Sequence, residues 1–153
     1  MTPEQKLAQL GFALPKPAVP SATYVPWRFA GNLLYLSGQG PKLPDGSYSV
    51  GRLDSTANIA QGYADARTTG LQLLATAKLA LGELSRIEAV VKLFGMVNAG
   101  PDFSDHPKVI NGCSDLFLEF LGETGKHARS AVGLGSLPNR MTVEIEAIFL
   151  IKT

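Results

Sequence analysis

The sequence predicts an α+β domain, a single β-sheet with two helices on one of its faces. Three observations carry that expectation. Residues 142–151, TVEIEAIFLI, place Val143, Ile145, Ala147 and Phe149 on one side of a strand and Glu144, Glu146, Ile148 and Leu150 on the other. From Ser55 to Leu81, Ile59, Tyr63, Ala66, Gly70, Leu73, Ala77 and Leu81 recur at steps of three and four, the period of a packed helix. The order of the segments, β-β-α-β-α-β-β, supplies two helices for one mixed sheet, which leaves its second face uncovered.

Taken in order, Thr2-Pro3-Glu4 reads as an N-cap followed by proline at the first helical position. Leu7, Leu10 and Phe12 give that short helix one apolar side, and Gly11 ends it. Pro15, Pro17 and Pro20 impose an extended connector, so residues 1–19 are read as an N-terminal extension and 20–153 as the domain. Strands are expected over 22–29 and 32–37, joined by Ala30-Gly31-Asn32, and Pro44-Asp45-Gly46 makes a turn in the loop that follows. Small residues on the long helix (Ala60, Ala64, Ala66, Gly70, Ala75, Ala77) let it lie close to a sheet, and Gly82 is its C-cap. A strand follows over 85–97, then a loop rich in breakers from Asn98 to His106. The second helix runs from Pro107 to Leu121, with Val109, Ile110, Phe117, Leu118 and Leu121 as core candidates. Finally, Arg129–Leu134 and Thr142–Ile151 read as the arms of a β-hairpin that turns through Ser136-Leu137-Pro138-Asn139-Arg140. That pairing brings Arg129 near Glu144, and such a guanidinium beside a carboxylate makes a binding fork for a small acid.

Composition narrows the function. At 153 residues there is room for one domain with a core that folds unaided. A net charge of +1 with 18% charged residues lacks the basic excess of nucleic-acid binders. The single cysteine, Cys113, cannot form an intramolecular disulfide and fits a reducing compartment. No apolar run reaches the ~20 residues needed to span a bilayer, and residues 1–6 lack a signal-peptide pattern. A soluble cytoplasmic protein without nucleic-acid or membrane partners is expected. His106 and His127 read as surface loop residues, with no matching Cys or acidic cluster at ligand spacing, so no structural metal is anticipated. A last strand with apolar residues on both sides calls for oligomerisation, in which bare sheet faces meet.

The motif A-R-S-x-V at Ala128–Val132, followed by L-P and by V-E-I-E-A-I at Val143–Ile148, resembles the C-terminal signature of the Rid family, the YjgF-type enamine/imine deaminases. Tyr24-Val25, Gly31–Gln39, Val90-Val91-Lys92, and Asp102-Phe103 with Asn111 and Phe117-Leu118 are similar to its earlier segments, in the same order over roughly residues 20–151. The resemblance implies a chorismate-mutase-like fold assembled as a homotrimer, with sites in the clefts between subunits. It implies that Arg129 holds the carboxylate of a 2-imino or 2-keto acid and that Glu144 activates water. Tyr24, Ser37, Gly38, Asn111 and Ala131 match positions lining the substrate. Alanine stands at 131 where several relatives have cysteine, serine at 114 where many have tyrosine, and the 99–110 loop is longer than usual. Glu146 is read as structural, and Cys113 as a buried inert thiol.

Two functions follow. One is cofactor-independent hydrolysis of reactive 2-enamino or 2-imino acids, such as 2-aminoacrylate, to 2-keto acids and ammonia. The other is a non-catalytic trimer that binds small carboxylates in a regulatory role. Binding a carboxylate does not require Glu144, so its presence beside Arg129 favours the enzyme. A ribonuclease finds no basic-aromatic pattern to support it.

Overall fold

The computed structural model describes residues 1–20 and 22–153. Helix α1 (Pro3–Gln9) starts on Thr2, whose hydroxyl accepts from the Gln5 N–H while the Gln5 side chain accepts from the Thr2 N–H. This reciprocal box satisfies two donors that a helix start otherwise leaves open. Leu7 is buried in the main core, and Glu4 accepts from the Leu84 N–H at 2.9 Å, which docks the helix on the domain.

Strands β1 (Trp27–Ala30), β2 (Leu33–Gln39), β3 (Ile87–Asn98), β4 (Ala128–Leu134) and β5 (Val143–Ile151) form one mixed sheet in the order β1-β2-β5-β3-β4. Only β3 and β4 are parallel; the other neighbours are antiparallel. Helices α2 (Ile59–Leu81) and α3 (His106–Leu121) cover one face, α2 over β2 and β5, α3 over β3 and β4. The expected α+β class and ββαβαββ order are present. Alternation along β5 decides which side faces the helices. Val143, Ile145, Ala147, Phe149 and Ile151 are buried with Leu34, Leu36, Val90, Leu93 and Val97, and Phe117 of α3 meets Phe149 edge-on at 5.6 Å. Glu144, Glu146, Ile148 and Leu150 point to the open face, which carries Tyr35, Phe94 and Met96 on the adjoining strands.

The hairpin expected at 128–151 does not form. β3 lies between β4 and β5, and β4 pairs with β3 in parallel through the α3 crossover. The turn residues mark a loop, but they do not name its partner. Residues 135–142 are long enough to cross two strand spacings, roughly 10 Å. Asn98, at the end of β3, pins the crossing: its N–H donates to the Thr142 carbonyl at 2.9 Å and its side-chain amide to the Met141 carbonyl at 3.1 Å. Arg129 therefore does not face Glu144 within one chain. It stands beside Leu93, itself beside Ala147, on the helix-covered face, whereas Glu144 stands beside Met96 on the open face.

The first strand begins at Trp27, later than expected, because Pro26 has no N–H to extend the ladder. Tyr24 consequently lies in a bend ahead of the sheet. The second strand continues to Gln39 through a bulge in which Ser37 and Gly38 together oppose Glu146. Between the helices, α2 and α3 approach so closely that a Cβ on Gly112 would run into the Tyr63 carbonyl.

Candidate functional site

The sequence-derived site residues separate into two groups on opposite faces of the sheet. The first surrounds a cavity of about 690 Å³ lined by Tyr24, Ser37, Gly38, Glu144 and Glu146. Each wall has a local cause. The bulge turns Ser37 so that its hydroxyl donates to the Val25 carbonyl at 2.6 Å, which holds the bend carrying Tyr24. Gly38 has no side chain where one is excluded: a Cβ there would lie 2.7 Å from Glu144 Oε2. The Glu144 carboxylate thus packs against bare backbone. It is half-buried, and burial first, the neighbouring Glu146 second, push its pKa above the usual carboxylate value. A carboxyl so raised binds and releases protons closer to neutrality. Ala18, Val19 and Pro20 of the connector add an apolar wall, and Asn139, with a left-handed φ of 55°, stands at the rim.

The second group gathers on Arg129. Its Nη1 donates to Asn111 Oδ1 at 2.8 Å and to Ser114 Oγ at 3.0 Å, both on α3. Ala131, two residues along β4, shares that face and packs at the margin of the core. No carboxylate among the described residues pairs with Arg129, and no side chain there accepts from its Nε or Nη2. Two N–H groups on one edge of a planar guanidinium are left for an external anion.

Sequence reasoning overlooked two features. His127, read as a surface residue, is half-buried behind the arginine; its Nδ1 lies 2.7 Å from the Gly125 carbonyl and its Nε2 2.9 Å from Ser114 Oγ. Asp65, never singled out, is buried on α2 and accepts from Ser49, Thr142 and Gln61 at 2.8, 2.7 and 2.8 Å. It ties the 47–51 loop and the start of β5 to the helix, fixing the root of Glu144. The one available signal was a charged residue in phase with Thr69, Gln72 and Thr76, a polar stripe that resembles a solvated face but is buried. Cys113 is buried as expected, and burial pushes its pKa up. No group of three or more His, Cys, Asp or Glu suited to a metal occurs among the described residues, and no helix there is long and apolar enough to cross a membrane.

Comparison with known proteins gives concordant matches. The sequence model of the family described as "YjgF/chorismate mutase-like, putative endoribonuclease" matches residues 4–144. Protein TCP17 of Trypanosoma cruzi is 41% identical over 143 residues, 93% of this chain and 89% of that protein. The crystal structure of a protein from Shewanella oneidensis, described as a putative endoribonuclease, superposes with a TM-score of 0.93 at 33% identity, covering 99% of this chain and 100% of that one. RidA from an Antarctic Psychrobacter is 30% identical with a TM-score of 0.61, over 89% of this chain and 94% of that one.

Proposed function

The chain belongs to the YjgF/chorismate mutase-like family, as a member of its Rid branch, and from that membership together with the two residue groups we propose that it hydrolyses reactive 2-enamino and 2-imino acids to 2-keto acids and ammonia. The observation that carries the proposal is the complementarity of two incomplete half-sites. One offers an arginine fork with no anion; the other offers a half-buried carboxylate in a cavity with no cation. Assembly as a homotrimer, with sites between subunits, sets the arginine of one protomer against the glutamate of the next.

In this reading the substrate carboxylate lies on Nε and Nη2 of Arg129, and the C=N carbon projects toward Glu144. An enamine such as 2-aminoacrylate first gains a proton at its terminal carbon and becomes the protonated imine, whose nitrogen carries two hydrogens. Water held by Glu144 adds to the C=N carbon, and Glu144 takes the proton that water gives up. The same carboxyl returns that proton to nitrogen. The C–N bond breaks and ammonia departs with three hydrogens, while the carbinol oxygen becomes the keto oxygen and gives its proton to solvent, replacing the one the enamine took up. The imine carbon is already electrophilic, so these steps need no cofactor. Two adjacent carboxylates, Glu144 and Glu146, and a net charge of +1 disfavour a polyanion such as RNA in this cavity.

The test is a coupled assay in which a dehydratase generates imines and release of ammonia or keto acid is followed. Arg129→Ala is expected to lose measurable acceleration, because removing a desolvated charge-assisted contact costs about 2–5 kcal/mol. Glu144→Gln is expected to bind 2-oxobutanoate as wild type does in calorimetry, yet to lose ~10²–10⁴-fold in hydrolysis. Full activity in Glu144→Gln would remove the proton-transfer role and leave a carboxylate-binding module. Full activity in Arg129→Ala would remove the clamp.

A further inference from the structure

We propose that His127, acting through Ser114, is a positioning residue that sets the orientation of the Arg129 fork. The inference rests on Arg129 being the carboxylate clamp, and it concerns residues that the catalytic reading leaves unused.

The hydrogen-bond directions follow from which atoms can donate. The Gly125 carbonyl can only accept, so the 2.7 Å contact requires the hydrogen on His127 Nδ1. In the neutral ring Nε2 is then an acceptor, and the Ser114 hydroxyl must donate to it across 2.9 Å. With its hydrogen committed, Ser114 Oγ presents lone pairs to Arg129 Nη1 at 3.0 Å. Asn111 Oδ1 takes a second hydrogen of the same nitrogen at 2.8 Å. Both hydrogens of Nη1 are thereby tied to α3, and the Nε–Nη2 edge is turned outward. A hydroxyl free to rotate could donate elsewhere and would not hold that geometry. Phe117 packs edge-on against the imidazole with ring centres 6.2 Å apart, which keeps the ring from turning.

The charges around the ring agree with a neutral state. Burial and then the Arg129 guanidinium hold the His127 pKa below the ordinary histidine value, although the Gly125 hydrogen bond opposes them. Arg129 on β4 is the charged group that acts on the imidazole. From α3 come Ser114 and Phe117, both uncharged. Among the nearby turn residues, Lys126 and Glu123 pair with each other at 3.0 Å with both side chains largely exposed. Protonation in acid would convert Nε2 into a donor and remove the acceptor that Ser114 needs, so the hydroxyl turns and Arg129 loses the contact that aligns its fork. Binding of an anionic substrate should therefore weaken as pH falls through the His127 transition, beyond any change in the substrate's own charge.

The experiment measures hydrolysis and 2-oxobutanoate affinity across pH 5.5–8.5 for wild type, His127→Phe, His127→Gln, Ser114→Ala and the Ser114→Ala/His127→Phe double variant. Phenylalanine keeps the packing against Phe117 and removes the acceptor, so KM and Kd are expected to rise about three- to tenfold at pH 8, the worth of one hydrogen bond, with kcat little changed. Glutamine, which offers a neutral acceptor, should restore tight binding and abolish the acid-side weakening. Ser114→Ala should match His127→Phe, and the double variant should be no worse than either single one, because both break one chain of bonds. Additive losses, or a His127→Phe variant with wild-type KM, Kd and pH profile while Arg129→Ala is inactive, would overturn the positioning role and leave the clamp intact. Wild-type activity in Arg129→Ala would instead remove the clamp on which the inference rests. Thermal melts of each variant separate loss of fold from loss of orientation.

Discussion

At the scale of single residues, the two glutamates of β5 show what alternation leaves open. Period 2 puts Glu144 and Glu146 on one face but does not rank them; Gly38 does, because its missing side chain makes the recess into which Glu144 packs while Glu146 stays exposed. The same recess carries an energetic consequence. A carboxyl whose folded pKa is raised binds protons more tightly in the native state than in the unfolded chain. Its ionisation therefore works against folding as pH rises from about 4.5 through the folded value, and the penalty is fully present above that. Glutamine in its place escapes the penalty. Glu144→Gln should accordingly melt at the same temperature as wild type or higher at pH 7, and the difference should shrink when both are melted near pH 4. A wild type that is clearly the more stable at pH 7 would show that Glu144 is held by favourable contacts and is not destabilised by its burial. Arg129, by contrast, was legible from its motif, but its partners were not. Asn111 and Ser114 lie 18 and 15 residues away, and only the packing of α3 on β4 brings them together.

At the scale of elements, the helices were readable because each writes its own period and caps. Gly82, at φ 86°, ends α2 where a left-handed residue was needed. Strand partners were not readable. The segments at 128–134 and 142–151 carry every local mark of a hairpin, yet pairing is fixed by non-local contacts, here by Asn98 holding residues 141 and 142 across the end of β3. The close contact of α2 with α3 makes a sharper claim than propensity does. Alanine is better than glycine inside a helix by about 1 kcal/mol, so Gly112→Ala would stabilise an isolated α3. In the folded chain its Cβ would press on the Tyr63 backbone, and overpacking of that kind costs about 1–3 kcal/mol. Because the obstacle is a carbonyl and not the tip of a side chain, it cannot swing aside, and the steric term should win. Gly112→Ala is expected to lower the melting temperature; a rise would mean that the two helices can separate without loss.

At the scale of the whole molecule, the position of Arg129 and Glu144 on opposite faces turns a question of chemistry into one of assembly. The open face bears Tyr35, Phe94, Met96, Ile148 and Leu150 around two carboxylates, an apolar surface of the kind buried between copies of a chain. A trimer of about three times 16.2 kDa is expected by sedimentation. Mass alone would not show that the site is shared, but complementation would. Arg129→Ala protomers keep Glu144, and Glu144→Gln protomers keep Arg129. In every mixed trimer, one of the three subunit boundaries joins an intact arginine to an intact glutamate, about a third of the sites. Two variants that are each inactive should thus regain about a third of wild-type turnover when co-expressed and purified through tags on both. Mixing the separately purified trimers without subunit exchange should restore nothing. If the catalytic pair were contributed by one protomer, every site in the co-expressed mixture would lack one member. The preparation would then stay inactive, and that result would sink the inter-subunit site without touching the fold.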